Sequence, residues 1–129
     1  MVFRLLALAP LLTLAATSPG AAPAAQSQGV RVIEIVAERF EFWPSRVIVA
    51  QGEEVELRLR SFDTIHGFRI VGAGTNLVIP KRGKGFAMAR FTGVVPGRYT
   101  FECNRMCGAG HDFMRGELIV RAAAGTGGR

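Results

Sequence analysis

The sequence predicts an all-β sandwich, and three observations carry that prediction. Apolar and polar residues alternate over short stretches, glycine and proline turn signals recur between them, and no stretch sustains the period of a long helix. Val30–Ala37 is the first strand candidate and Ser45–Val49 the second. In the third, Val55, Leu57 and Leu59 alternate with Glu54, Glu56, Arg58 and Arg60, as expected for a strand with one face on the core and one in water. Phe68–Val71, Phe86–Phe91 and Glu117–Arg121 are further candidates. Tyr99, Phe101 and Cys103 alternate with Arg98, Thr100 and Glu102, which puts Cys103 at the inward end of its strand. Gln51-Gly52, Gly72–Gly74, Lys81–Gly85 and Pro96-Gly97 supply the connecting turns, since glycine reaches the left-handed backbone region and proline presets φ. A chain of 129 residues, 49% hydrophobic, supports one domain with a modest core and leaves no room for a second catalytic module.

Function is concentrated in one stretch. Cys103-Asn104-Arg105-Met106-Cys107-Gly108-Ala109-Gly110-His111-Asp112-Phe113-Met114 holds both of the chain's cysteines, one of its two histidines and a thioether, the donor set that soft copper prefers. Two cysteines four positions apart on a tight loop can turn both sulfurs toward one point, and each thiolate has lone pairs enough to bridge two metals. A mononuclear blue-copper site needs only one cysteine, with two histidines and a weak axial methionine, so the second cysteine points to a dinuclear centre. The other histidine, His66, lies far away in Ser61-Phe62-Asp63-Thr64-Ile65-His66-Gly67-Phe68, and only folding brings it to the loop. Plainer readings stand beside these. Two lone cysteines in an exported protein ordinarily form a disulfide, but that leaves the offsets of His111 and Met114 unexplained. His66 alone reads as a hydrogen-bonded histidine beside a turn. Met88 and Met106 read as core filler, a role for which flexible thioethers suit.

His66 followed by Cys-x3-Cys-x3-His-x2-Met resembles the dinuclear copper A domain of cytochrome c oxidase subunit II, a domain shared with nitrous oxide reductase. Phe40-Glu41-Phe42-Trp43-Pro44, Ile48-Val49-Ala50-Gln51-Gly52, Ile65-His66-Gly67-Phe68, Gly74-Thr75-Asn76 and Pro96-Gly97-Arg98-Tyr99 resemble the oxidase domain in the same order, from about Val30 to Arg121. The resemblance implies a cupredoxin-like Greek-key β-sandwich in which the copper loop joins the last two strands, here Arg98–Cys103 and Gly116–Val120, with His66 projecting from a neighbouring loop at the same end. It implies two copper ions. Cys103 and Cys107 bridge them, His66 and Met114 complete one, and His111 with the backbone carbonyl of Arg105 completes the other. Phe42, Trp43, Phe68 and Phe113 are candidates for the apolar shell of the site, or are core residues only. Two departures stand out. Arg105 occupies a position where the oxidase domain usually has glutamate, which helps hold a second metal at the subunit interface, and a guanidinium cannot ligate a cation. Subunit II also normally carries one or two transmembrane helices ahead of this domain.

Residues 1–25 read as a secretory signal peptide. Arg4 is the positive start, Leu5 to Ala16 an apolar run, and Ala22-Pro23-Ala24 a small-x-small cleavage site. A retained anchor competes, because no charge falls between Arg4 and Arg31, although the run is shorter than the roughly 20 residues a span requires. Residues 26–121 form the copper domain, and 122–129, rich in Ala and Gly, a disordered tail. Without Arg4, fifteen of the sixteen basic residues remain against ten acidic ones, a charge of +5. The basic residues are scattered, with no aromatic-interleaved groove, so nucleic acid is not a partner. The charge bears instead on which redox protein docks and on how salt changes the on-rate. Oxidase domains of this family often offer an acidic surface to basic cytochromes, and this chain departs from that habit.

These readings converge on a periplasmic electron-transfer protein, exported by its leader, that takes electrons from cytochrome c or another small donor and passes them to a haem-copper oxidase or another acceptor. Membrane contact is expected only through a partner or a retained leader. Every ligand position is filled, so the chain is not expected to be an enzyme on its own, but is a possible electron-uptake subunit of a cytochrome c oxidase. The alternatives are a copper storage or delivery protein of the same fold and a disulfide-stapled interaction module.

Overall fold

The structure, a computed structural model, describes residues 29–125. The leader reading of residues 1–25 and the last four residues of the tail reading lie outside the described residues. Nine strands form: β1 Arg31–Glu38, β2 Glu41–Trp43, β3 Arg46–Ala50, β4 Glu54–Ser61, β5 His66–Ile70, β6 Asn76–Ile79, β7 Ala87–Thr92, β8 Gly97–Glu102 and β9 Arg115–Arg121, with one short 3-10 turn at His111–Phe113. They make a four-stranded sheet in the order β2-β1-β4-β7 and a five-stranded sheet in the order β3-β9-β8-β5-β6. β1 with β4 and β3 with β9 pair in parallel, and the other pairs are antiparallel. This is a β-sandwich with crossovers between its sheets.

The alternation read from the sequence is the alternation of burial. Val55, Leu57 and Leu59 are buried to the last fraction of their surface, while the charged residues between them face outward. Phe42, Phe68 and Phe101, one each from β2, β5 and β8, pack with ring centroids 5.3–5.6 Å apart and two of the three pairs edge-to-face, a geometry favoured by the ring quadrupole. Gly52 turns between β3 and β4 at φ 81°, where a side chain would be strained.

Five expectations need correction. β2 and β6 have no counterpart among the predicted strands, because three or four residues are too few to display a period of two. β5 begins at His66, so that histidine projects from a strand and not from a loop. Cys103 lies one residue beyond the end of β8. Met88 and Met106 are not core filler, being 55% and 76% exposed. Trp43 and Phe113 are likewise 73% and 80% exposed and enclose nothing, whereas Phe42 and Phe68 lie in the core.

One surface pair fixes the end of the sandwich opposite the cysteine loop. Arg31 donates to both carboxylate oxygens of Glu53, at 2.7 and 3.1 Å, and the Ala50 amide donates to Glu53 at 2.8 Å. These contacts, the Arg31 hydrogen bond foremost, hold the Glu53 carboxyl below its ordinary value. A carboxyl whose pKa is depressed by folding stabilises above its unfolded pKa, and that contribution is lost as pH falls through the folded value. Glu53→Gln is therefore expected to cost about 0.5–1 kcal/mol near neutrality, as exposed pairs do. Urea denaturation should show the gap between the two proteins closing in acid.

Candidate metal centre

The loop between β8 and β9 is closed at its neck and clamped at its tip. The Cys103 amide donates to the Met114 carbonyl at 3.0 Å, joining the two ends. Within the loop the 3-10 turn is built by the amides of His111, Phe113 and Met114, which donate to Gly108, Gly110 and His111 at 3.1 Å. The β1–β2 turn presses on it. Arg39 donates from Nε to the Cys107 carbonyl at 2.6 Å, and the Phe40 ring lies where side chains at Gly108 and Gly110 would stand. Glycine at those two positions is what lets the aromatic ring reach the loop.

Folding gathers five side-chain donors and one carbonyl. The Cys103 and Cys107 sulfurs are 3.8 Å apart, both cysteines are free, and both are buried. The His66, Cys103 and Cys107 donor atoms all lie within 4.8 Å of one another. Met114 Sδ and His111 Nδ1 each stand 3.8 Å from the Cys107 sulfur. The Arg105 carbonyl accepts from the Cys103 thiol at 3.1 Å, while the Arg105 side chain is exposed. All six sequence-predicted positions thus meet at one end of the sandwich, Arg105 through its main chain.

Three residues with no assigned role in the sequence reading orient this set. Asp63 Oδ1 lies 2.7 Å from His66 Nε2. Burial raises the Asp63 carboxyl, but hydrogen bonds from His66 and from the Arg39 and Thr64 amides outweigh it and hold the group down at about 2. An ionised carboxylate only accepts, so Nε2 is the ring nitrogen that donates to Asp63, and Nδ1 is the one left to act as a ligand. That Nδ1 is buried with no hydrogen-bond partner. A buried polar nitrogen without a partner is costly, and a metal held with Cys103 and Cys107 would satisfy it. Arg39 links the same carboxylate to the loop, since its amide donates to Asp63 Oδ2 at 3.0 Å. The Gly67 amide donates to the Cys103 sulfur at 3.4 Å, and the approach is possible because a Cβ at Gly67 would overlap Asn104 and the Arg105 amide. Burial, reinforced by the Cys103 sulfur, pushes the Cys107 thiol up to about 11; a cation between the sulfurs opposes both causes. The sequence signal for Asp63 was its position three residues before His66. Arg39 and Gly67 carried none, because their partners are distant in the chain.

Two soft thiolates, two imidazoles, a thioether and a carbonyl, mostly shielded from water, fit copper and not a hard cation. Outer partners of metal-bound histidines typically contribute 10- to 100-fold in affinity. Asp63→Ala is accordingly expected to weaken copper binding by about tenfold or more while leaving β4 and β5 paired, measured by chelator competition and circular dichroism.

A β-sandwich whose last interstrand loop carries Cys, Cys, His and Met against a histidine from a neighbouring strand is a copper domain of the cupredoxin type. The chain is 34% identical over 90 residues to cytochrome c oxidase subunit 2 of Thermus thermophilus, across 69% of this chain and 64% of that relative, so it spans somewhat less than two thirds of the relative's length. It superposes on the periplasmic domain of cytochrome oxidase subunit II of Bradyrhizobium japonicum with a TM-score of 0.64 at 14% identity, covering 71% of this chain and 84% of that one. Auracyanin A, a blue copper protein of Chloroflexus aurantiacus, superposes with a TM-score of 0.59 at 18% identity over 72% of this chain and 100% of its own. No family model matches the chain. Over those 90 residues the chain is similar in sequence to cytochrome c oxidase subunit 2, and its fold is that of the two structural neighbours.

Proposed function

We propose that this chain is an extracytoplasmic electron-transfer domain holding two copper ions in a copper A-type centre and working with a haem-copper oxidase. The observation that carries the reading is the pair of free, buried thiols 3.8 Å apart beside a histidine nitrogen that has no other partner. Cys103 and Cys107 would bridge, His66 and Met114 would complete one ion, and His111 with the Arg105 carbonyl the other. When bound, the copper pair supplies a one-electron couple shared over two metals and two sulfurs. The polypeptide's task is to keep the donors still and dry. The closed neck, the Arg39 and Phe40 clamp and the Asp63 anchor fix the donors before any metal arrives, and full burial of His66 and Met114 excludes water. The Gly67 amide withdraws charge from the Cys103 sulfur, the kind of contact through which proteins tune a thiolate-bound couple. The similarity to oxidase subunit II supports the placement outside the cytoplasm and the partnership with an oxidase.

Metal analysis, absorption and paramagnetic resonance of the copper-loaded protein test this reading. Two coppers per chain sharing one unpaired electron, resistant to chelators and reversible in voltammetry, are expected. One copper with a spectrum localised on a single nucleus overturns the dinuclear assignment, and ready exchange with chelators points to a storage or delivery protein.

Arg105→Ala tests the main-chain assignment. Any residue supplies a carbonyl, so both coppers and nearly the same visible spectrum should remain. A fixed positive charge near the metals disfavours the oxidised centre, so its removal should lower the reduction potential, by an amount on the order of 0.5 kcal/mol for an exposed charge. Voltammetry at low salt reads the shift.

A further inference from the structure

The cations that lack a carboxylate partner are gathered at one end of the sandwich. Among the described residues, Arg31, Arg46, Arg58, Arg69, Arg90 and Arg98 each pair with a glutamate. The other eight do not, and seven of these, Arg39, Arg60, Lys81, Arg82, Lys84, Arg105 and Arg115, lie in or beside the four connections at the metal-binding end: β1–β2, β4–β5, β6–β7 and β8–β9. Arg121, at the opposite end, is the eighth.

The placement is tight. The Arg82 amide donates to the Asp63 carbonyl at 3.1 Å, so the Lys81–Lys84 loop abuts the loop that positions His66. Arg60 and Arg82 line one cavity with Ser61 and Phe62, and Arg115 lines a cleft with Cys103, His111 and Met114. All seven side chains are exposed. Glu38, Glu41, Asp63, Asp112 and Glu102 share this end, the last with its partner Arg69, so eight cations against five acids leave an excess of three positive charges there. The remainder of the described surface, six cations against five acids, has an excess of one. Exposed Met106 and Phe113 stand in the same loop as the ligands, 76% and 80% accessible. A cluster of unpaired charge beside an apolar centre is the anatomy of a transient protein interface: the charge steers the encounter and the apolar centre makes the contact.

We propose that the metal-binding end is the docking face for a redox protein whose own contact surface is acidic, opposite in polarity to a basic cytochrome. The proposal rests on the electron-transfer reading above and adds the partner's charge. Cations without a carboxylate partner enter new ion pairs at less cost than the paired arginines on the flanks, which would have to abandon existing ones. Arg39 and Arg115 already donate to the Cys107 and Asp112 carbonyls, and Arg60, Lys81, Arg82, Lys84 and Arg105 have no such commitment among the described residues. A protein is favoured over a membrane surface because the cations lie in the connections at the end that carries the ligand loop, where an electron must cross.

Cytochrome c and its succinylated form, whose lysines have become carboxylates, offer the same haem with opposite surface charge. Retention of the protein on each, immobilised, needs no copper, so it is read independently of the copper assignment. Stronger retention on the succinylated form, released by salt, is expected, with the Arg82→Glu/Lys84→Glu double variant losing retention and Arg121→Glu keeping it. In stopped-flow mixing at low salt, one electron passing from ferrous succinylated cytochrome c to the oxidised copper-loaded protein should be slowed about tenfold by the double variant, the size of an electrostatic steering effect, and unchanged in Arg121→Glu. Equal effects of the double variant and Arg121→Glu, or stronger retention on native cytochrome c, overturn the proposal. So does a double variant that only releases the protein from phosphatidylglycerol vesicles, since the patch would then face a membrane. Absence of any reversible copper couple with the retention pattern intact would overturn the electron-transfer reading and leave the acidic docking face standing.

Discussion

Cys107→Ser is expected to reduce the copper content from two ions per chain to at most one and to abolish the spectrum of a shared electron, with the fold intact. Serine is nearly isosteric with cysteine, so the loop closed by the Cys103 amide and the Met114 carbonyl has no steric reason to open. What is lost is a soft donor that lies 3.8 Å from each of Cys103 Sγ, His111 Nδ1 and Met114 Sδ. A hydroxyl at that hub is a hard, protonated oxygen and a poor match for copper. Met114→Leu should behave differently. On the proposed assignment its sulfur would be a weak donor, so the variant is expected to keep both coppers and shift the potential, because thioethers tune more than they hold. Elemental analysis with paramagnetic resonance separates the two variants, and equal loss of copper from both would contradict the division of roles.

Gly116→Ala is expected to be strongly destabilising. Gly116 is the second residue of β9 and pairs with Phe101 on β8. A Cβ there would overlap the Phe101 ring and stand 2.5 Å from the Ser45 carbonyl oxygen. The ring is locked against Phe42 and Phe68, and the carbonyl accepts the Glu117 amide at 2.8 Å. Neither moves without breaking something else. Overpacking of this kind costs typically 1–3 kcal/mol, which for a domain of this size lowers the melting temperature by about 4–8 °C per kcal/mol. Because Met114 lies two residues upstream, copper affinity should fall with stability. A thermal scan with and without copper reads both, and an unchanged midpoint would show that β9 has slack the packing does not suggest.

The contrast with Gly110 is instructive. There the obstructing group is the Phe40 side chain alone, and a ring at the margin of the core can rotate. Gly110→Ala should therefore cost less in stability than Gly116→Ala and act chiefly on the loop.

Long strands and donor identity were legible in the sequence because each is a local property. Eight residues of β4 are enough to display alternation, and copper chemistry is written in residue types at fixed offsets along twelve residues. Short strands such as β2 and β6 were invisible, since they exist only because β1 and β5 offer a backbone edge. Met88 and Met106 show the same limit from the other side, because composition cannot tell a core thioether from an exposed one.

The chain's own order of residues picked out candidate copper donors: two thiolates, two imidazoles and a thioether, to which the family resemblance added a main-chain oxygen. It left open which nitrogen of His66 is offered, what holds the loop, and where the charge goes. Those answers required the sandwich to close. Asp63 reaches His66 Nε2 within one segment, but Arg39 arrives at Cys107 from 68 residues away, and the Gly67 amide meets Cys103 across 36. The seven unpaired cations, scattered along the sequence, form one cluster only because four connections emerge at one end. Contacts between distant segments depend on strand order and register, which no single stretch encodes. Covalent donor chemistry travels with the residue, whereas orientation, shielding and surface field belong to the folded assembly.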